Sequence, residues 1–98
     1  MPKTDDAIKI LKSLHQDDPE LQEMIKEASL NARVAQMIYE ARKQAGLTQQ
    51  QLADLINTTQ SVIARLEDAD YEGHSLSMLQ RVAEALNQRV EIQLTPIG

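Results

Sequence analysis

The chain has 98 residues, a net charge of −5 and no cysteine, phenylalanine or tryptophan. This length suits one small domain with extensions, and the composition excludes disulfides and thiolate metal sites and leaves a mainly aliphatic core. No apolar run is long enough to cross a bilayer and no signal-peptide pattern opens the chain, so we expect a cytoplasmic protein.

Residues 1–30 are predicted to form an N-terminal helical extension. Within it, residues 5–14 begin with carboxylates and continue with an apolar stripe at helical spacing. This short stripe fits a surface helix packed on its own domain as well as a segment that orders on a partner. His15, Asp17 and Asp18 follow. Such a group in a turn is more typical of a solvated cap than of a metal site, so we expect no metal and no cofactor.

A long helix is predicted next, because Asp18 and Pro19 combine a capping residue with a first-turn proline. It could run from Pro19 to Ala45 and end at Gly46. Its length exceeds the usual globular range, and Ser29 marks the expected place for a break or a bend.

The stretch from Gly46 to Leu66 is predicted to form two short helices joined by a tight turn. Thr48 and Gln51 fit a capping box, and Asn57 can end the first helix in a left-handed conformation. The two threonines that follow supply the next cap. This order of caps, turn and apolar residues is typical of a helix-turn-helix, although an ordinary helical hairpin would share the spacing.

The exposed positions of this stretch have a surface chemistry that is unusual for a merely solvated helix. Lys and Glu are the usual residues on such a face. Here most of the side chains are neutral hydrogen-bonding groups: Gln49, Gln50, Gln60, Ser61 and Arg65. Gln can bond adenine, and Arg can bond guanine, through paired hydrogen bonds. The pattern therefore favours a surface that reads DNA bases.

The charge distribution permits DNA binding without predicting that one subunit binds tightly. Residues 31–66 carry four basic and two acidic side chains, a net charge of +2, whereas residues 1–30 and 67–98 have net charges of −3 and −4. Phosphate contacts need Lys or Arg. The acidic loop over residues 68–75 should therefore point away from DNA or lower the affinity.

The C-terminal part is predicted to contain one more helix, capped by Ser75 or Ser77, and then a strand. Residues 89–94 alternate between polar and apolar side chains. The apolar side consists of Val90, Ile92 and Leu94. Because a lone strand is not stable, we predict that residues 88–98 form a dimerisation strand and tail, paired with a second copy across a two-fold axis.

About half of the chain, roughly from Ile38 to Leu86, resembles the helix-turn-helix domain of the Xre or lambdoid phage-repressor family; the matching segment reads ARKQAGLTQQQLADLINTTQSVIARLED. The resemblance implies an all-α fold, with a four- to five-helix repressor-like domain over residues 31–87. It also implies a homodimer that binds double-stranded DNA in the major groove at a palindromic operator.

The same resemblance assigns roles to individual residues. Those that would contact DNA are Thr48, Gln49, Gln50, Thr58, Thr59, Gln60, Ser61 and Arg65. Arg42 and Glu67 match a pair that forms a partly buried salt bridge in some of these repressors.

The whole arrangement, an acidic helical extension followed by an Xre-type domain and a strand, is similar to the HigA-like antitoxins of type II toxin–antitoxin modules. This implies a repressor that regulates its own operon and neutralises a RelE-type or HigB-like toxin through residues 1–30. The alternatives are a stand-alone Xre-type regulator without a toxin and a helix-turn-helix module that binds only protein. No glycine-rich phosphate loop, nucleophile elbow or zinc spacing occurs, so we do not expect an enzyme.

Overall fold

The computed structural model describes residues 18–97, which form four helices: α1 (Pro19–Gln44), α2 (Gln49–Leu55), α3 (Gln60–Leu66) and α4 (Leu76–Ala85). The predicted all-α domain is confirmed for this part of the chain. None of these helices is both long and apolar enough to span a bilayer. The helix predicted over residues 5–14, and the side chains of His15 and Asp17, lie outside the described residues.

The first helix is a single 26-residue helix. The side chain of Asp18 accepts a hydrogen bond from the Leu21 backbone N–H at 3.1 Å, and Pro19 occupies the first turn, as predicted. The break predicted at Ser29 is wrong. Residues 20–45 contain no Gly or Pro, and a lone serine does not interrupt the backbone hydrogen bonds of a helix. The predicted boundary between residues 30 and 31 therefore falls inside α1.

Three helices end in the same way, with one residue in the left-handed conformation. These residues are Gly46, Asn57 and Asn87, with φ angles of 73°, 56° and 58°. After α2, the Thr58 N–H bonds the Ala53 carbonyl at 2.9 Å and the Asn57 N–H bonds the Asp54 carbonyl at 3.4 Å. This is the Schellman pattern, which satisfies the last carbonyls of a helix. It turns the chain sharply and sets the angle between α2 and α3.

The core lies where α2 packs on α3, and α1 and α4 complete it. Leu52 of α2 and Ile63 of α3 are fully buried. Ala53 is also fully buried, so α2 and α3 can approach closely at that point. Burying side chains such as Leu52 and Ile63 stabilises the fold by roughly 1.5–3 kcal/mol each. This packing fixes the orientation of α3 and leaves its opposite face in solvent.

The strand predicted over residues 89–94 is not seen: residues 88–97 have no regular secondary structure. Val90, Ile92 and Leu94 are instead 38%, 66% and 96% exposed. A strand requires hydrogen bonds to a second backbone, and no strand within residues 18–97 supplies one. The alternation of side chains is therefore insufficient to form a strand in the single chain.

Candidate nucleic-acid interface

The two short helices each begin with a threonine cap. The Thr48 side chain accepts from the Gln51 N–H at 3.1 Å, and the Gln51 side chain accepts from the Thr48 N–H at 2.8 Å, which completes the predicted capping box. The Thr59 hydroxyl accepts from the Val62 N–H at 3.3 Å at the start of α3. These local bonds start α2 and α3 at defined residues, so the side chains of their first turns have defined positions.

One stripe along α3 faces solvent. It contains the exposed residues Gln60, Ser61 and Arg65 and the half-buried Ala64. Ala64 was not among the predicted site residues, although it lies four residues after Gln60 and thus on the same face. Its methyl group offers a small apolar contact of the kind that thymine methyl groups accept. The stripe combines amide, hydroxyl, methyl and guanidinium groups on one helix face.

A chain of hydrogen bonds links this stripe to the interior. The Gln60 amide nitrogen donates to Gln49 Oε1 at 2.5 Å, and the Gln49 amide nitrogen donates to Glu67 Oε1 at 3.2 Å. Gln49 is at the start of α2 and Glu67 follows the last residue of α3. The bonds therefore join the first turn of α3 to its end through a side chain of α2.

The inner end of this chain is a buried ion pair. Arg42 donates from Nε and Nη2 to the two carboxylate oxygens of Glu67 at 2.6 and 2.9 Å, and from Nη1 to the Leu47 carbonyl at 2.8 Å. The Arg42 and Glu67 side chains are only 8% and 5% exposed. The bond to Glu67 raises the pKa of Arg42, although burial opposes this. The Arg42 charge is thus neutralised internally and is not available to phosphate.

A family model described as helix-turn-helix matches residues 38–92, more than half of the chain. The chain belongs to this helix-turn-helix family. The resemblance to the Xre type is confirmed at that level. No curated protein and no solved structure matches the chain. A helix-turn-helix of this type is a DNA-binding domain of transcription regulators, so α3 is its recognition helix and the stripe on α3 is its candidate base-reading surface.

The other polar residues of the helix-turn-helix differ in their hydrogen-bond partners and in their exposure to solvent. The Gln50 amide nitrogen donates to Asp54 on its own helix at 2.8 Å. Thr48 and Thr59 use their oxygens as cap acceptors, and each O–H can still donate outward. Thr58 is half-buried in the turn. The structure therefore links Gln49 and Gln60 directly and places Gln50 apart from them.

In the acidic loop after α3, residues 68–75, the aromatic side chains contact the core, each other and the end of α3. Tyr71 packs against the core cluster, and its ring lies 4.9 Å from that of His74. His74 Nε2 lies 2.7 Å from the carbonyl oxygen of Leu66, the last residue of α3. Asp68, Asp70 and Glu72 remain exposed. The loop thus holds the end of α3 in place and presents carboxylates to solvent.

No sequence pattern predicted the contact between Arg81 and the turn of the helix-turn-helix. The Arg81 guanidinium donates to the backbone carbonyl of Ile56, where α2 ends. The two residues are 25 positions apart, and an arginine on a surface helix has no local pattern that predicts such a partner. This bond ties α4 to the end of α2.

Proposed function

We propose that this chain is a sequence-specific transcriptional repressor that inserts α3 into the major groove of its operator. The observation that supports this most is the exposed stripe of α3, with Gln60, Ser61 and Arg65 on one face and the core behind it. Each of these side chains can bond a base edge. A face selected only for solubility would carry Lys and Glu instead.

In this proposal the residues around α3 contact the DNA backbone. Thr48, Thr58 and Thr59 donate their hydroxyl hydrogens to phosphate oxygens, and Gln49 and Gln50 donate their remaining amide hydrogens. These groups fix the position of the domain on the duplex, whereas Gln60, Ser61 and Arg65 select the sequence.

A mobility-shift titration tests this function. The probe is the DNA immediately upstream of the gene, and a scrambled duplex of the same composition is the control. With Arg42 buried and Arg65 assigned to base reading, the exposed basic residues of segment 31–66 that can contact phosphate are Arg33 and Lys43. A dimer would then make at most about four such phosphate contacts, so the slope of log K against log salt should be no steeper than about −4. Equal binding of the two probes would contradict sequence-specific recognition.

We further propose that residues 88–98 dimerise the protein. Ile92 and Leu94 are exposed apolar side chains on the predicted strand. Antiparallel pairing with a second copy would satisfy the backbone and bury these side chains. A dimer would also present two recognition helices to the two half-sites of a palindromic operator.

Sedimentation of full-length variants tests the dimer. Ile92→Lys should give monomers, because it places a charge in the proposed interface. Gln93→Lys adds the same charge on the other side of the segment and should leave the dimer intact. A dimer that persists in Ile92→Lys would contradict this interface.

Neutralisation of a toxin is a proposal supported by charge alone. Residues 1–30 have a net charge of −3, and a basic ribonuclease of the RelE or HigB type would be attracted to such a segment. Deleting residues 1–17 leaves Asp18 and α1 intact, so loss of toxin binding in that variant would be due to the removed segment. Unchanged binding would contradict a role for residues 1–17 in toxin contact, whereas a full-length protein that binds no such toxin would favour a stand-alone regulator.

A further inference from the structure

We propose that Glu67, which does not reach the DNA-facing surface, sets the base preference of Gln60 by fixing the direction of the amide hydrogen bonds through Gln49. Glu67 is then a positioning residue for recognition. The inference rests on the proposed reading of bases by α3 and goes beyond it, because it assigns both the preferred base and the buried group that selects it.

The direction of the chain follows from the chemistry of a carboxylate. Both oxygens of Glu67 accept hydrogen bonds from Arg42, at 2.6 and 2.9 Å, and an ionised carboxylate can only accept. Gln49 must therefore turn its NH₂ group toward Glu67, at 3.2 Å. Its oxygen then faces Gln60, and Gln60 must donate its own NH₂ group, at 2.5 Å. Neither amide can turn over without placing two donors or two acceptors against each other.

This arrangement determines what Gln60 can offer to a base. An amide has two N–H donors and one oxygen acceptor. One N–H of Gln60 is used by Gln49, which leaves one donor and one acceptor. In the major groove adenine presents one acceptor and one donor, whereas guanine presents two acceptors. Gln60 held in this direction matches adenine.

The test removes the buried pair in the double variant Arg42→Met/Glu67→Leu and measures base preference. Without the carboxylate that accepts from it at 3.2 Å, the Gln49 amide can take either direction. Gln60 can then offer either one donor and one acceptor, which match adenine, or two donors, which match guanine. The adenine-to-guanine ratio at the Gln60 position should therefore fall by about tenfold, toward one. Selection from a duplex library randomised over the half-sites gives this ratio for the full-length protein.

Two further variants make the test specific. Gln49→Leu removes the connection and leaves the Arg42–Glu67 pair intact, so the adenine-to-guanine ratio should drop toward one even if the double variant fails to fold. Asp54→Asn is the matched control. It removes the other carboxylate of the helix-turn-helix that accepts from a glutamine amide, that of Gln50 at 2.8 Å on the same helix α2. It should leave every base preference unchanged.

The position read by Gln60 is the one at which Gln60→Ala relaxes the selected sequence. An unchanged ratio there in the folded double variant, or in Gln49→Leu, would overturn the inference while leaving DNA recognition intact. So would a Gln60→Ala protein that relaxes no position. Failure of the wild type to select any sequence would instead overturn the proposed function, and the positioning role with it.

Discussion

The buried pair of Arg42 and Glu67 gives the sharpest prediction about stability. Arg42→Met removes one charge and leaves the Glu67 carboxylate buried, with the Gln49 amide at 3.2 Å as its remaining donor. Leaving one charge of a buried pair without its partner costs about 3–5 kcal/mol. In a domain of this size, such a loss lowers the melting temperature by about 12 °C or more.

Removing both charges should cost less than removing one. In the double variant Arg42→Met/Glu67→Leu no carboxylate remains to be desolvated, and two apolar side chains fill the space. The remaining cost comes from the Leu47 carbonyl, which loses the 2.8 Å bond from Arg42. We expect a net loss of about 1–2 kcal/mol, so the double variant should be more stable than Arg42→Met alone.

Urea denaturation followed by circular dichroism measures these differences at one fixed protein concentration, since dimerisation would make stability depend on concentration. Arg89→Met is the matched control, because Arg89 pairs with Glu91 at 2.9 Å while 86% exposed and should contribute little. Since the pKa of Arg42 is raised in the folded protein, the stability that its charge contributes at neutral pH is lost on the alkaline side only as the pH rises through that pKa. A double variant no more stable than Arg42→Met would refute this reasoning.

Three further predictions concern single residues. Thr48→Ala should lower the free energy of unfolding by about 1 kcal/mol, since it removes the capping box of α2; unchanged urea stability would show that the box is dispensable. Gly46→Ala should also cost about 1 kcal/mol, through its φ of 73° and not through crowding, because nothing lies within 4 Å of an added Cβ; a neutral result would mean that the end of α1 rearranges. Arg65→Ala should weaken discrimination at one base pair by about 1–3 kcal/mol in mobility shifts with single-substitution probes, whereas Lys26→Ala should not. Equal losses for all probes would identify Arg65 as a phosphate contact.

The helix ends were predictable because they depend on neighbours in the chain. Asp18, Thr48 and Ser75 each bond a backbone N–H three residues later. Asn57 and Asn87 adopt the left-handed conformation that ends a helix. In each case one residue type and its spacing identify the structure, because the hydrogen bonds involved span only a few residues.

The exposed stripe on α3 was predictable in part. Helical spacing identified Gln60, Ser61 and Arg65 as exposed, and their contacts with DNA remain predictions. The same spacing places Ala64 on this face, but Ala64 is apolar and the prediction considered only polar side chains. The direction of the Gln49 and Gln60 amides was not predictable, because it depends on the packing that places Gln49 between Gln60 and Glu67.

The sequence by itself therefore determined the local features of this protein: its caps, its left-handed helix ends and the polar face of α3. Tertiary structure decided features that join distant residues. It buried the Arg42 charge against Glu67, 25 residues away, a pair that the family resemblance implied but that no local pattern indicates. This burial leaves one cation fewer for the proposed contacts with phosphate. It also left residues 88–97 without a strand, although their side chains alternate. The physical reason is that capping bonds form within one turn of chain, whereas buried ion pairs and strands depend on partners that only packing brings into contact.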